Sequence, residues 1–277
     1  MVEAITGSSG HIGSHLVQRL ESEHRVVRWP HNKDWPVDSI PDHIFHLATY
    51  GSHKTQTEVE KTILANYDLT ADLIMSTTVL PYKALVITGS SSEYGRKNRP
   101  MREDDSLNPE TIYAASKAGA THLAKAWARV YDKPIIVARP FTVYGPREAD
   151  YRFIPTVIRS CLTQEPMTLD PSGNHDFIYV DDIVDGLLIL ADVAEDNKGE
   201  VFNLGTGVMT DNKTVVECIE HLTGKRANIT ETKALRPGDS QVWVADTMKA
   251  ESIGFKAKTS LARGLTKAVE HYAKIYR

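Results

Sequence analysis

The N-terminal part of the chain switches between short apolar runs and segments with a helical apolar face. Residues 1–6 form an apolar run of the length typical of a buried strand. The segment after them has apolar residues at the spacing of one helix face, at Ile12, Leu16, Val17 and Leu20. A glycine-rich turn lies between the two, so we expect the chain to open with a strand, a turn and a helix.

The same alternation continues through the first half of the chain. Further strands are expected at residues 25–29, 43–48, 84–88 and 134–139, and a long helix is expected at 57–78. Pro109 is predicted to open the helix that carries Tyr113 and Lys117. Strands that alternate with helices from the first residue predict an α/β fold with a parallel, doubly wound sheet.

The second half has a looser pattern. Helices are expected at 153–162, 183–194, 213–222 and 261–272, and strand-like segments at 177–180 and 201–204. The sequence contains no internal repeat, low-complexity tract or long linker. This half is therefore expected to pack against the first as a lid or flank.

Composition narrows the class of protein. The 277 residues, 41% apolar and 25% charged, suffice for one large domain or two interleaved ones with a buried core. The formal net charge of −4, without a block of Lys and Arg, argues against a nucleic-acid partner. Cys161 and Cys218 are far apart, so we expect reduced thiols and neither a disulfide nor a metal site.

Hydropathy bears on the compartment. No apolar run approaches ~18 residues, so a membrane span is not expected. A first strand that starts at Val2 leaves no room for a signal peptide. These features predict a cytoplasmic protein.

The turn Gly7-Ser8-Ser9-Gly10-His11-Ile12-Gly13 lies between the first strand and the first helix. Glycines at this place let the backbone approach a diphosphate, whose charge the helix N-terminus stabilises. The turn therefore predicts a dinucleotide site. A glycine-rich turn without a ligand is the alternative.

The end of the second strand bears on which dinucleotide binds. An acidic residue usually stands there when the ligand is NAD. Here the segment is Arg28-Trp29-Pro30-His31-Asn32-Lys33, which favours a 2′-phosphate and hence NADP, unless it is only a solvated loop. Only about a dozen residues separate this strand from the next, so the adenine side of the pocket is expected to be abbreviated.

Tyr113 and Lys117 are four residues apart and are predicted to share one helix face. A nearby ammonium lowers the pKa of a phenol, which can then exchange a proton with a substrate hydroxyl. Three serines in Gly89-Ser90-Ser91-Ser92-Glu93-Tyr94-Gly95 follow a predicted strand, where ligands bind in open α/β sheets. A serine there can bond a substrate hydroxyl or ketone; an exposed helical pair and a polar turn are the alternatives.

Several such motifs occur in one order along nearly the whole chain. Together they resemble the extended short-chain dehydrogenase/reductase family, and within it the NAD-dependent epimerase/dehydratase group that acts on nucleotide sugars. The motifs are Thr6 to Gly13, His46-Leu47-Ala48, Gly89 to Gly95, Tyr113 to Lys117, Arg139 to Pro146, Asp176 to Asp182, Asn203 to Gly207 and Arg236-Pro237-Gly238-Asp239.

The resemblance implies a Rossmann-like domain and a set of cofactor contacts. The implied domain covers 1–145 and takes in about 177–206. A smaller, interleaved substrate-binding part covers 146–277, mainly 146–176 and 207–277. The expected cofactor-binding residues are Gly7, Ser9, Gly10, His11, Ile12, Gly13, Arg28, Leu47, Ala48, Tyr113, Lys117 and Pro140.

The resemblance also implies roles in catalysis. Tyr113 would be the general base or acid, and Lys117 would lower its pKa and bind the nicotinamide ribose. Ser90 would orient the substrate, with Ser91 in that role if the motif register slips by one. The expected substrate-binding residues are Ser92, Thr142, Arg147, His175, Arg236 and Asp239.

Departures from the family pattern narrow the reaction. Ser91 and Ser92 stand where dehydratases of this family carry an acidic pair, and Ser92 replaces the cysteine of 3,5-epimerase/reductases. Oxidation or reduction at a sugar carbon, C4 in either case, is then expected. The missing acid after strand two, and a likeness of 46–55 to CDP-abequose synthase-like enzymes, favour 4-keto-sugar reduction with NADPH. A 4-epimerase with tightly bound NAD is the alternative, and a non-catalytic dinucleotide-binding regulator is a further one.

Two departures concern substrate binding. Thr142 replaces the usual asparagine and His175 replaces the usual arginine, which weakens the expected anion clamp. Arg147, Arg159 and Arg236 are the candidates to compensate. The weakened clamp leaves open a substrate other than an ordinary nucleotide sugar. The family resemblance also implies a homodimer, formed through the helices around 57–78 and 112–130.

Overall fold

The computed structural model describes residues 1–29, 40–52, 55–171, 173–232 and 242–276. Its strands are β1 (Val2–Thr6), β2 (Arg25–Arg28), β3 (His43–His46), β4 (Ala84–Thr88), β5 (Ile135–Pro140), β6 (Thr142–Tyr144), β7 (Met167–Leu169), β8 (Asn174–His175), β9 (Phe177–Tyr179), β10 (Val201–Leu204), β11 (Thr210–Asp211) and β12 (Ile229–Glu231).

The helices alternate with these strands. They are α1 (His11–Leu20), α2 (Val59–Ile63), α3 (Leu69–Thr77), α4 (Ile112–Tyr131), α5 (Phe153–Thr163), α6 (Val180–Asp192), α7 (Asn212–Thr223), α8 (Met248–Ser252) and α9 (Leu261–Tyr272). A π turn at Leu64–Asp68 joins α2 to α3, and a 3₁₀ helix lies at Ser91–Tyr94. Across the described ranges, none of the helices combines the length and apolar character needed to cross a membrane.

Six strands form one parallel sheet in the order β10-β5-β4-β3-β1-β2. The chain starts in β1, adds β2 on one side, and then adds β3, β4, β5 and β10 on the other. The direction reverses between β1 and β3, and in such sheets a ligand binds at this point, outside the carboxyl ends of the strands. The predicted α/β class with a doubly wound parallel sheet is confirmed.

Helices cover both faces of the sheet. Successive strand residues point to opposite faces, so Phe45 packs in the cluster that contains Leu16 of α1 and Leu187 of α6. Its neighbour Ile44 packs in the cluster that contains Leu73 of α3 and Ala124 of α4. Because both faces are covered, every residue of β4 is buried, which explains its uninterrupted apolar sequence.

A separate core joins α5, α7 and α9, with Ile158, Val215 and Leu265 among its members. Two short parallel pairs, β6 with β9 and β7 with β12, lie beside these helices. The domain boundaries proposed above, with a break near residue 145, stay a prediction.

Two expected helices differ in detail. The helix predicted at 57–78 is interrupted by the π turn, where Asn66 bonds the backbone of Tyr50 in another loop. The helix predicted to open at Pro109 begins at Ile112. Thr111 caps it, since its side chain accepts the Ala114 N–H at 3.1 Å. Both differences come from polar contacts, which the periodicity of apolar residues does not indicate.

Candidate active site

The glycine turn forms a tight cradle at the carboxyl end of β1. Gly7 has φ +66°, and a Cβ there would lie 2.6 Å from the Ala48 nitrogen. A Cβ at Gly13 would contact the Gly7 carbonyl in the same way. α1 starts directly after this turn, so its N-terminal N–H groups and dipole favour an anion. The cradle fits a dinucleotide diphosphate, and side chains larger than hydrogen would close it.

His11 begins α1 but does not bring a positive charge. Burial, and then the neighbouring His15 and Arg152, lower its pKa to about 3. His15 in turn contacts Asp181 Oδ1 and the Pro146 carbonyl, each at 3.0 Å. His15 therefore connects α1 to α6 and to the loop after β6. Because His11 is neutral, backbone N–H groups would have to bind an anion at the cradle.

Arg28 lies at the end of β2 and is already paired. Its Nη2 lies 2.5 Å from Glu21 Oε1, and both side chains are exposed. The basic residues that follow it in the sequence, His31 and Lys33, lie outside the described residues. The described part of this strand end therefore adds nothing to the expected preference for a 2′-phosphate.

The segment after β3 packs against the cradle. His46 is buried and contacts the hydroxyls of Thr6 at 2.7 Å and Thr70 at 2.9 Å. Leu47 and Ala48 are buried beside the glycine turn. Pro140, the other expected cofactor contact from a strand end, closes β5 and pairs with Leu204.

Ser90 and Ser91 of the serine turn, Gly89 to Gly95, make different contacts. Ser90 caps the 3₁₀ helix: its Oγ accepts the Ser92 N–H at 3.2 Å and lies 2.6 Å from Ser92 Oγ. Ser91 is buried, and its Oγ accepts the indole N–H of Trp243 at 3.2 Å. Of the two serines proposed for substrate orientation, Ser91 is thus engaged away from the cleft, and the geometry favours Ser90.

A buried ion pair supports this turn. Glu93 accepts the Ser90 N–H at 2.7 Å and pairs with the Arg139 Nε at 2.9 Å, with both side chains almost fully buried. The Arg139 guanidinium stacks 4.6 Å from the ring centre of Tyr94, whose hydroxyl donates to Asn203 Oδ1 at 2.7 Å. Sequence reasoning assigned Glu93 and Arg139 no separate role, although both lie in motifs that it quoted.

Tyr113 lies in the first turn of α4 and faces a cluster of polar groups. Burial raises the pKa of its phenol, while hydrogen bonding from Ser90 and Thr49 and the charge of Arg152 lower it. The expectation that Lys117 lowers the pKa of the phenol stays a prediction. Burial is the largest influence, and the opposing groups come from three other segments.

Lys117 is buried one turn further along α4. Its Nζ donates to the carbonyl of Thr88, the last residue of β4, at 2.7 Å. Burial lowers its pKa to about 8, against the opposing charge of Glu93. The ammonium is therefore held at the carboxyl edge of the sheet, where Ser90 and Tyr113 also lie.

Sequence reasoning missed three groups near Tyr113. Arg152 precedes α5 and donates to the Ser52 carbonyl at 3.2 Å, which brings its charge across the cleft. Thr49 donates to Asn66 Oδ1 at 2.9 Å. An asparagine inside a long helical segment was the available signal for Asn66, whereas nothing in the local sequence marks Thr49 or Arg152.

Three further expected substrate-binding residues, Thr142, Arg147 and His175, lie in the described part of the chain. Thr142 is half-buried in β6, and His175 lies between the rings of Phe177 and Trp243, at 5.6 and 6.3 Å. Arg147 is turned towards α1, where its Nη1 donates to the Ser14 carbonyl at 3.2 Å. Arg236 and Asp239 lie outside the described residues.

Comparison with known proteins decides the family. Residues 4–205 match the model of the NAD dependent epimerase/dehydratase family. The chain belongs to this family. It is thus an enzyme of the extended short-chain dehydrogenase/reductase type, as its motifs predicted.

Three relatives show how far the similarity extends. The Bacillus subtilis (strain 168) protein YtcB, described as an uncharacterized UDP-glucose epimerase, is 27% identical over 99% of this chain and 98% of its own. UDP-glucuronate 4-epimerase 4 of Arabidopsis thaliana is 30% identical over 84% of this chain and 58% of its own. The structure of MoeE5 in complex with UDP-glucose and NAD matches with a TM-score of 0.92 and 31% identity over 100% of both chains.

Glu148 is a buried acidic residue, and sequence reasoning did not single it out. Its Oε2 has no hydrogen-bond partner among the described residues. Burial raises its pKa from 4.5 to about 8, and Arg152 only partly opposes this. The folded protein therefore holds a proton that the unfolded chain releases, so stability is lost as pH rises from about 4.5 to about 8.

Replacing Glu148 with glutamine is expected to remove this pH dependence. Relative to wild type, the variant should gain about 3 kcal/mol in unfolding free energy between pH 4.5 and pH 7. Urea unfolding at a series of pH values measures it. Parallel profiles of the two proteins would show that Glu148 does not hold the proton.

Proposed function

We propose that the protein is a nucleotide-sugar 4-epimerase that uses bound NAD and acts on a UDP-sugar. The observation that carries the proposal is the convergence of Tyr113, Ser90 and Lys117 beside the glycine cradle. The relatives supply the reaction, since two of them are described as UDP-sugar epimerases and a third binds UDP-glucose and NAD. This replaces the preference for 4-keto-sugar reduction, and the relatives favour the alternative over it.

In the proposed mechanism the chain moves one proton and orients one sugar carbon. Bound NAD supplies the hydride acceptor, and later the hydride donor, at C4. Tyr113 Oη takes the proton of the 4-hydroxyl during oxidation and returns it during reduction. The Ser90 hydroxyl bonds the same sugar oxygen, and the Lys117 ammonium favours the phenolate. The keto-sugar must present its other face before the hydride returns.

The serine turn argues against dehydration. Elimination of water needs an acid and a base beside the sugar. The nearest carboxylate in the motif is Glu93, which is buried and engaged by Arg139 and the Ser90 N–H. Ser91 and Ser92 occupy the places where an acidic pair would act. We therefore infer that the keto-sugar does not lose water at this site.

The cofactor and the reaction are tested together. The purified protein is denatured and the released nucleotide is identified by mass spectrometry; NAD is expected in an amount close to one per chain. The native protein is then incubated with UDP-glucose and UDP-glucuronate, and the 4-epimer of at least one should accumulate to equilibrium without added cofactor. Stoichiometric consumption of NADPH by a 4-keto-sugar, with no epimer formed, would establish the reductase instead.

We further propose that two copies associate through α2, α3 and α4. Apolar side chains are exposed along these neighbouring helices and the π turn that joins α2 to α3, at Val59, Ile63, Leu64, Met75, Ile112 and Val130. Patches of this kind mark protein–protein contacts. Sedimentation equilibrium should give twice the mass of one chain, and the mass of a single chain at every concentration would refute the dimer.

A further inference from the structure

The loop after β3 brings a threonine hydroxyl to the catalytic tyrosine. Thr49 Oγ1 donates to Asn66 Oδ1 at 2.9 Å. The same oxygen accepts the Tyr50 N–H at 3.0 Å, and the Asn66 amide donates to the Tyr50 carbonyl at 2.8 Å. These two backbone bonds fix which end of the Asn66 amide is oxygen, so the Thr49 proton is directed at Asn66.

Thr49 and Tyr113 are held in one framework. Asn66 is fully buried in the π turn and donates a second hydrogen bond to Ser116 Oγ at 3.0 Å. Ser116 donates to the carbonyl of Tyr113 at 2.9 Å. The chain of contacts from Thr49 through Asn66 and Ser116 therefore ends at the residue whose phenol Thr49 faces. A shift of either segment would break it.

The hydrogen bond from the Thr49 hydroxyl to Asn66 Oδ1 can break at little cost in free energy. A buried acceptor left without any donor is expensive. Asn66 Oδ1 would still accept the Tyr50 N–H if the Thr49 hydroxyl turned away. A phenolate, by contrast, accepts a stronger hydrogen bond than a neutral carbonyl does. The hydroxyl of Thr49 thus has two acceptors whose relative strength changes with the charge of Tyr113.

We propose that Thr49 is a positioning residue whose hydroxyl switches acceptor with the protonation state of Tyr113. It donates to Asn66 Oδ1 while Tyr113 carries its proton, and it donates to the phenolate when that proton is absent. The transferred proton moves only between the sugar oxygen and Tyr113 Oη, and Thr49 keeps its own throughout. Hydrogen bonding of Thr49 to Tyr113, which lowers the pKa of the phenol, supports this role.

The role rests on the proposed epimerase, and its test separates the two. Thr49→Val removes the hydroxyl at nearly constant shape, and Thr49→Ser keeps it. Thr77→Val removes another buried threonine hydroxyl, which donates to the carbonyls of Leu73 and Ile74 in its own helix. The pH profile of kcat/KM is measured for each NAD-loaded variant. Tyrosinate absorbance is titrated in parallel, with Tyr113→Phe as the subtraction.

Thr49→Val is expected to raise the pKa of Tyr113 by about one unit, and to lower kcat/KM about tenfold on the acid side of the profile. Thr49→Ser should match wild type in both measurements, and Thr77→Val should match it in the pH profile of kcat/KM. An unshifted pKa in a folded Thr49→Val protein, or a shift that Thr49→Ser shares, would overturn the role. If Thr49→Val does not fold, Thr49→Ala replaces it. If Thr49→Val shifts the pKa of Tyr113 but the wild-type protein epimerises no sugar, the proposed function is refuted and the role of Thr49 is not.

Discussion

Replacing Tyr113 with phenylalanine is expected to lower the turnover of the epimerisation by about 10²-fold or more. The phenol is the group that exchanges a proton with the sugar in the proposed mechanism. Hydrogen bonding from Ser90 and Thr49 and the charge of Arg152 lower the pKa of this phenol against the effect of burial. The ring of phenylalanine fills the same space, so the glycine cradle and Lys117 stay in place and NAD should remain bound.

The measurement combines steady-state rates with quantification of the bound nucleotide. Tyr131→Phe is a suitable control, because Tyr131 is exposed at the far end of the same helix. It should match wild type in both respects. Turnover close to wild type in Tyr113→Phe would contradict the mechanism while leaving the family assignment untouched. Loss of the nucleotide would show that the tyrosine acts in cofactor binding instead.

Replacing Glu93 with glutamine is expected to destabilise the fold by about 3 kcal/mol. Arg139 is almost fully buried and pairs with Glu93 at 2.9 Å, so the substitution leaves its charge in the interior without an anion. The same carboxylate accepts the Ser90 N–H, so the serine turn should loosen as well. We therefore expect a lower urea midpoint together with a loss of turnover.

A matched control separates burial from charge. Glu217 pairs with Lys213 across one helical turn at 3.8 Å, and both side chains are exposed. Glu217→Gln should change the unfolding free energy by less than about 0.5 kcal/mol. Equal effects of the two substitutions would mean that the buried pair contributes no more than a surface one. Destabilisation of Glu93→Gln with full retention of turnover would separate the ion pair from the serine turn.

Much of the fold was predictable from local patterns. The helix predicted at 261–272 and the strand at 201–204 match α9 and β10 at both ends. Their apolar residues repeat at the spacing that helices and buried strands require. Several of the shortest strands, such as the two-residue strands β8 and β11, were not predicted. Each pairs with a segment distant along the chain, and two residues carry no period to read.

The candidate site divides in the same way. Tyr113 and Lys117 were identified because their spacing and the order of the surrounding motifs are visible in the sequence. The motif alignment preferred Ser90 and kept Ser91 as the second choice. Only the structure shows that Trp243, which lies far along the chain, takes up the Ser91 hydroxyl. Lys117 was predicted to supply the charge near the phenol, and the structure adds a second cation that the sequence did not indicate, Arg152 at the start of α5.

The sequence by itself determined the class of fold and the family, and it predicted the catalytic pair, because periodicity and ordered motifs are local properties of the chain. Only the tertiary structure decided which groups surround the phenol. Thr49, Ser90 and Arg152 reach it from three segments that meet at the carboxyl ends of the strands. Their influence depends on burial and on the direction of single hydrogen bonds, which arise only once the chain is packed.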